Sequence, residues 1–335
     1  MRVEMQNEQS LIQRISRIAM PNPQSSSAGA VRLGMGDDAA LFRPRTGYET
    51  ILTCDWFLEG THFLRKKHPP EAVGWKCLAR ALSDIAAMGG APRCFLLSLA
   101  LPESHAGRWL DRFLGGLRRA SRRFQCALAG GDTTRNRKIL INVTVIGESR
   151  AGQAALRTGA RAGDFIYVSG RLGEAAFGLQ MLRGSKGLVK TSTPQLKKHL
   201  YPEPRLALGS WLTKNRIVTA MMDLSDGLSS DLPRLCDASG VGARLEAARI
   251  PMLPNENARS GRGGGANTMH LALHGGDDYE LLFTVPRRSA DRIPGSFQGV
   301  RLTAIGEITR NRQLRLIRKD GAEEPLIPGG WDPFR

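Results

Sequence analysis

Acidic residues set among glycines recur along this chain, as Gly36-Asp37-Asp38-Ala39, Gly130-Gly131-Asp132-Thr133-Thr134, Asp223-Leu224-Ser225-Asp226-Gly227 and Gly275-Gly276-Asp277-Asp278-Tyr279-Glu280. A 335-residue chain with a formal charge of +17 has no general reason to crowd its carboxylates in this way. Two carboxylates about 4 Å apart repel by roughly 4 kcal/mol at an effective dielectric near 20, so a fold that gathers them must supply solvent or a cation. Hard divalent ions take oxygen ligands, and Mg²⁺ in particular is held by a few carboxylates together with substrate phosphates. Any one of the clusters suits an ordinary turn. Together, each beside an apolar run, they point to a nucleotide site built around several Mg²⁺ ions.

Around these clusters the chain alternates helical and strand patterns. Leu11, Ile12, Ile15 and Ile18 share one helical face, and Pro21 to Gly29 reads as a loop. Thr50 to Cys54 is expected as a short strand that Asp55 terminates. Pro69-Pro70 opens a long helix that Gly89-Gly90 stops, with Asp84 late in it. Strands at 95–101 and 139–147 flank a helix at about 104–124. A second series holds a strand at 165–169, a helix after Gly173, a helix from Pro204 to about Lys214, and a strand at 218–222 leading into the Asp223 motif and its following helix. Met252 to Thr268 reads as a linker or surface loop. Strands near 281–285 and 314–317 close the chain. The break at 150–163 predicts two domains of mixed α/β class, residues 1–150 and 151–335.

Composition narrows the function classes. No apolar run approaches the roughly 20 residues needed to span a bilayer, and the polar N-terminus does not read as a signal peptide. The five cysteines are scattered without a Cys-x-x-Cys pair, which argues against a zinc site or a disulfide framework and for a cytoplasmic protein. The +17 charge is the case for nucleic-acid binding. Yet the arginines are spread out, no zinc finger or RNA-recognition signature is present, and a basic surface equally steers an anionic nucleotide. A salt-dependent shift assay with random nucleic acid separates the two classes.

The acidic stations are expected at strand ends, helix ends and glycine turns. Gly130-Gly131 before Asp132 would let backbone N–H groups approach a phosphate. Asp226, at the start of a helix, is either an N-cap or a group beside a helix N-terminus that suits an ATP phosphate. The chain has no Gly-x-x-x-x-Gly-Lys-Ser/Thr loop and no protein-kinase signature, so carboxylate-held metal would do what a P-loop lysine does elsewhere.

The ordered set Gly34 to Ala40, Thr53-Cys54-Asp55, Glu59 to Phe63, Leu82 to Gly89, Gly130 to Arg135, Asp223 to Leu228, Gly275 to Leu281 and Gly330 to Phe334 resembles the thiamine-monophosphate kinase family from about residue 30 onward. The resemblance implies an aminoimidazole-ribonucleotide synthetase-like fold whose N-terminal domain forms a β-barrel across a homodimer, with a C-terminal domain completing the nucleotide and substrate site. It implies ATP as co-substrate, thiamine monophosphate as acceptor and several Mg²⁺ ions. Carried over by position, Asp38, Thr53, Cys54, Asp55, Asp84, Asp132, Asp223 and Asp226 would be metal ligands. Asp132 and Asp226 would bear most directly on catalysis. Gly131, Asp132, Arg157 and Ser225 would contact ATP, and His62, Asp277 and Trp331 the thiamine phosphate. Read as residues alone, His62 also suits a loop histidine, Trp331 a tail anchor and Arg157 a domain-junction cover. The chain departs from the family pattern at Cys54 (usually threonine), Ala81 (usually asparagine), Asp277 (usually glutamate) and Pro333 (usually histidine). A selenophosphate synthetase should carry a reactive cysteine in an N-terminal glycine loop, and a hydrogenase-maturation relative should end in cysteine; this sequence has neither.

Overall fold

The structure is a computed structural model that describes residues 8–19, 30–34, 39–185, 193–254 and 268–334. The expected loop at Pro21 to Gly29, Asp38, and most of the expected linker after Met252 lie outside the described residues. The chain divides into two compact units, Met1–Ile85 with Gly90–Gly152, and Ala86–Gly89 with Gln153–Arg335.

In chain order the first unit holds α1 (Glu8–Ala19), β1 (Val31–Leu33), β2 (Leu41–Phe42), β3 (Tyr48–Leu58), α2 (Pro70–Ala87), β4 (Ala91–Leu101), α3 (Arg108–Phe124), β5 (Ala127–Arg135) and β6 (Leu140–Arg150). Strands β3-β6-β4-β5 form one sheet in that order, with β4 and β5 parallel and the other neighbours antiparallel. Because successive strand residues face opposite sides, Ile51, Thr53, Asp55 and Phe57 share one face of β3, and Leu52, Cys54 and Trp56 the other. Ile51 and Phe57 are buried, as are Leu78, Leu82 and Ile85 of α2 and Phe113, Leu114 and Leu117 of α3. Leu52 and Trp56 are 69% and 55% exposed. The sheet therefore has one packed face and one bare face.

Two expectations fail in this unit. Asp55 does not terminate a strand, because the apolar run Trp56-Phe57-Leu58 follows it and β3 pairs with β6 as far as Leu58. Gly130-Gly131-Asp132 is not a turn but the middle of β5, in register with Leu96, Leu97 and Ser98.

The second unit continues with β7 (Phe165–Ser169), α4 (Glu174–Gly184), α5 (Pro194–Leu200), α6 (Leu206–Lys214), β8 (Ala220–Leu224), α7 (Leu228–Ser239), β9 (Gly242–Glu246), α8 (Thr268–His274), β10 (Glu280–Val285), β11 (Ser296–Phe297), β12 (Val300–Thr309), β13 (Leu314–Ile317) and β14 (Glu323–Pro325). Its sheet runs β14-β13-β9-β12-β7-β10-β8, with β11 against β12. Only β9 and β13 are parallel among these pairs. Leu282 of β10 packs with Leu228, Leu232 and Leu235 of α7, whereas Leu281, Phe283 and Val285 pack with Leu208 and Leu212 of α6. Strand β10 is thus buried on both faces, as its unbroken run Leu-Leu-Phe-Thr-Val suggests.

Candidate active site

In the first unit, the inner face of β3 meets α2 through its polar positions. The Thr53 hydroxyl donates to Asp84 Oδ2. One helical turn earlier, Arg80 Nη2 lies 3.3 Å from Asp55 Oδ1. Thr53, Asp55 and Asp84 thus present oxygen donors on one side, with an arginine countering Asp55. Cys54 points to the bare face, where Asn142 Nδ2 donates to its sulfur at 3.1 Å. Asp132 shares that face: it registers with Ser98, Ser98 with Asn142, and Asn142 with Trp56. The sequence-predicted metal ligands of this unit therefore fall on two faces of one sheet. Among the described residues no three His, Cys, Asp or Glu side chains stand close enough to grip a metal ion by themselves.

Gly131 occupies a place no side chain can take. Its φ is +154°, and an added Cβ would stand 1.9 Å from the Leu97 carbonyl oxygen. The paired glycines also leave the backbone beside Asp132 uncovered. His62 lies in the loop after β3, its Nδ1 accepting the Leu58 N–H at 3.0 Å and its ring 5.9 Å from that of Phe57. That bond requires an unprotonated Nδ1, so neutral His62 carries its hydrogen on Nε2.

The second unit gathers more of the expected residues. Asp223 lies within β8, and the chain leaves the strand through Ser225-Asp226-Gly227 into α7. Asp226 is not the helix cap: Gly227 holds that position, and Asp226 Oδ2 instead receives Arg234 Nη1 at 2.6 Å. What shapes the loop is Asp231. One carboxylate oxygen, Oδ2, accepts the N–H groups of Ser225, Asp226 and Gly227 at 3.0 to 3.1 Å. Burial pushes the Asp231 carboxyl up to about 6, with the Asp226 charge adding to the rise and the backbone donors and Arg234 opposing it. Sequence reading missed Asp231 and Arg234. An acid in the first turn of a helix that follows a glycine-ended loop was the available signal.

Asp277 is brought to the same loop, its N–H donating to Ser225 O at 2.8 Å. The tail joins from the other side, the Trp331 N–H donating to Asp226 O at 2.9 Å and the Gly330 N–H to Ser230 Oγ at 3.0 Å. Gly330 allows the approach, since a Cβ there would be 2.1 Å from Asp226 O. Ser225, Asp226, Asp277 and Trp331 are therefore one cluster, with Trp331 47% exposed. Arg157 has an exposed side chain, and only its carbonyl is engaged in a described bond, accepting from Ser239 Oγ at 2.9 Å.

The acids that follow Asp277 turn inward. Asp278 Oδ2 and Oδ1 accept the N–H groups of Gly173 and Ala175 at 2.6 and 3.2 Å, tying down the start of α4, and burial pushes its carboxyl up to about 7. Glu280 is fully buried and receives Ser169 Oγ at 2.5 Å, Arg205 Nε at 2.7 Å and Lys198 Nζ. Burial alone would raise its carboxyl, but the two cations outweigh it and hold the group down to about 2.

Residues 36–149 match the family model for AIR synthase related protein, N-terminal domain, and residues 161–319 that for AIR synthase related protein, C-terminal domain. Thiamine-monophosphate kinase of Escherichia coli strain K12 is 36% identical over 313 residues, 92% of this chain and 94% of that protein. The crystal structure of thiamine-monophosphate kinase from Stenotrophomonas maltophilia K279a superposes with a TM-score of 0.78 at 34% identity, covering 95% of this chain and 97% of that one. A second solved structure, AaThiL complexed with AMPPCP and TMP, gives a TM-score of 0.76 at 32% identity and covers 100% and 99%.

Proposed function

The chain belongs to the thiamine-monophosphate kinase family, and on that basis we propose that it transfers the γ-phosphoryl group of ATP directly to thiamine monophosphate, giving thiamine diphosphate and ADP. Its fold is the mixed α/β two-domain AIR synthase type. The observation that carries the reading is a likeness of 36% identity over 92% of the chain, joined to the clustering of Asp277 and Trp331 around the Ser225-Asp226 loop.

The donor sets fit Mg²⁺, because Thr53, Asp55, Asp84, Asp132, Asp223 and Asp226 offer only oxygen. Groups of one or two carboxylates suffice when substrate phosphates complete the shell. Asp38 and Cys54, the latter through its backbone carbonyl, complete the proposed set. When bound, Mg²⁺ neutralises the polyphosphate and draws donor and acceptor phosphates into line.

The chain's own residues bind and orient. The acceptor oxygen belongs to a phosphate that is largely ionised at neutral pH, so no strong general base is needed. The uncovered backbone at Gly131 offers close approach to the triphosphate, and Ser225 and the Arg157 guanidinium suit its oxygens. His62 Nε2–H, the Asp277 carboxylate and the Trp331 ring suit thiamine phosphate, whose thiazolium carries a fixed positive charge. The residues 1–150 would bind ATP and Mg²⁺ and dimerise, and residues 151–335 would supply the rest of the nucleotide and substrate contacts.

A homodimer with a barrel closed across it is part of the same reading, and the bare sheet face bearing Leu52 and Trp56 supports it. Cytoplasmic work accords with ATP as donor and with five free cysteines. Among the described residues no helix is long and apolar enough to cross a membrane.

The test is an assay of purified protein with MgATP and either thiamine or its monophosphate. Thiamine diphosphate should form from the monophosphate alone, with inversion at phosphorus. Retention would indicate a phosphoenzyme and overturn direct transfer.

A further inference from the structure

We propose that Tyr279 and His199 are positioning residues that hold the Asp277 carboxylate in one orientation, and so set the affinity for thiamine phosphate independently of the affinity for ATP. The inference rests on the reading of Asp277 as the acid facing the thiazolium cation.

Of the three acids in this turn, Asp278 and Glu280 are buried and engaged in holding α4, Lys198 and Arg205, whereas Asp277 stays half exposed. The backbone that presents it is unusual. Asp277 has φ +70° and Tyr279 φ +50°, both in the left-handed region that residues with a Cβ rarely adopt. Such conformations persist only where the surroundings over-determine them, and they concentrate at functional sites. Here the surroundings are identifiable. The N–H groups of Asp277 and Tyr279 donate to Ser225 O and Leu224 O, each at 2.8 Å, stitching the turn to the end of β8 that carries Asp223 to Asp226.

Two buried side chains, one from this turn and one from α5, face one carboxylate. Tyr279 is 2% exposed and its hydroxyl donates to Asp277 Oδ1 at 2.7 Å. His199, on α5 and 1% exposed, places Nδ1 3.7 Å from Asp277 Oδ2. An exposed aspartate left to itself samples several rotamers, and fixing it on binding costs entropy. A carboxylate whose Oδ1 accepts a bond from a buried tyrosine and whose Oδ2 faces a buried imidazole has lost much of that freedom before substrate arrives. This matters more for an aspartate than for a glutamate, because the shorter arm cannot search for a partner and must be delivered to it. A cationic ring depends on that delivery. ATP, which carries no fixed cation, does not.

Tyr279→Phe removes the hydroxyl and keeps the ring, so the core is undisturbed. The expected result is a rise of about tenfold in KM for thiamine phosphate, the loss of one hydrogen bond to a charged group. KM for ATP, kcat and the melting midpoint should stay close to the parent's. Asp277→Asn should raise the same KM, and adding Tyr279→Phe to it should cost nothing more, because the two act through one group. His199→Gln should raise KM for thiamine phosphate in the same selective way. If Asp277→Asn raises KM while Tyr279→Phe leaves it unchanged, the positioning role is overturned and the substrate role of Asp277 stands. If Asp277→Asn has no effect, the substrate role itself falls and the positioning role with it. Equal rises in both KM values with a lowered melting midpoint would mark Tyr279 as merely structural and overturn the proposal.

Discussion

Asp132 and Asp231 place the same carboxylate in opposite surroundings. Asp132 is exposed on β5 and its removal disturbs no packing. If it serves the phosphates, Asp132→Asn should lower kcat by at least about a hundredfold while leaving the thermal midpoint in place; steady-state kinetics beside calorimetry checks both. Asp231 is fully buried and accepts three backbone N–H groups. Asp231→Ala leaves those donors without their acceptor, and should destabilise the protein by about 3 kcal/mol in urea unfolding. The two were unequally legible in the sequence. Asp132 sits in a glycine motif whose composition announces it, whereas Asp231 looks like any acid near a helix start. Its role exists only once the chain has folded the 223–227 loop back over it.

Among the elements, helices bounded by proline and glycine were readable, and α2 begins and ends close to where Pro69-Pro70 and Gly89-Gly90 indicate. Strands were harder, because an acid or a glycine pair reads locally as a stop. Both Asp55 in β3 and Gly130-Gly131 in β5 continue pairing with their neighbours, and cross-strand hydrogen bonds override the local preference. Gly131→Ala should expose that dependence: with its Cβ 1.9 Å from Leu97 O, β4 and β5 must part, and the melting midpoint should fall by several degrees. Strand β10 begins at Glu280, whose carboxyl is held down to about 2, well below its ordinary 4.5. A depressed acid contributes stability that is complete above its unfolded value and is lost as the pH falls from about 4.5 through 2. Urea midpoints measured from pH 6 down to 3 should therefore drop more steeply in the parent than in Glu280→Gln, which starts lower and changes less.

For the whole molecule, two α/β parts and a strong positive charge were legible, and the matches to an N-terminal and a C-terminal AIR synthase related domain accord with the first. Strand order and register were not legible, because they depend on contacts between residues far apart in the chain, such as Leu281 against Asp223. Nor was the bare sheet face, which emerges only when Leu52 and Trp56 are seen on the side opposite α2. Replacing Trp56 with Glu should shift sedimentation from dimer to monomer while each unit keeps its far-ultraviolet dichroism; a monomeric parent protein would remove the assembly from the proposal.

The turn that presents Asp277 is rooted at one end of β10, six residues buried on both sides between β7 and β8. If Asp277 meets the acceptor, such an anchorage limits how the protein could evolve a new one. Lengthening or re-threading the turn would unzip the middle of the sheet, so change is cheapest at the tip, where a single codon can extend or retract the reach of one acid. Relatives with altered acceptor preference should consequently differ in side-chain length at this position while keeping the same number of residues between it and the strand.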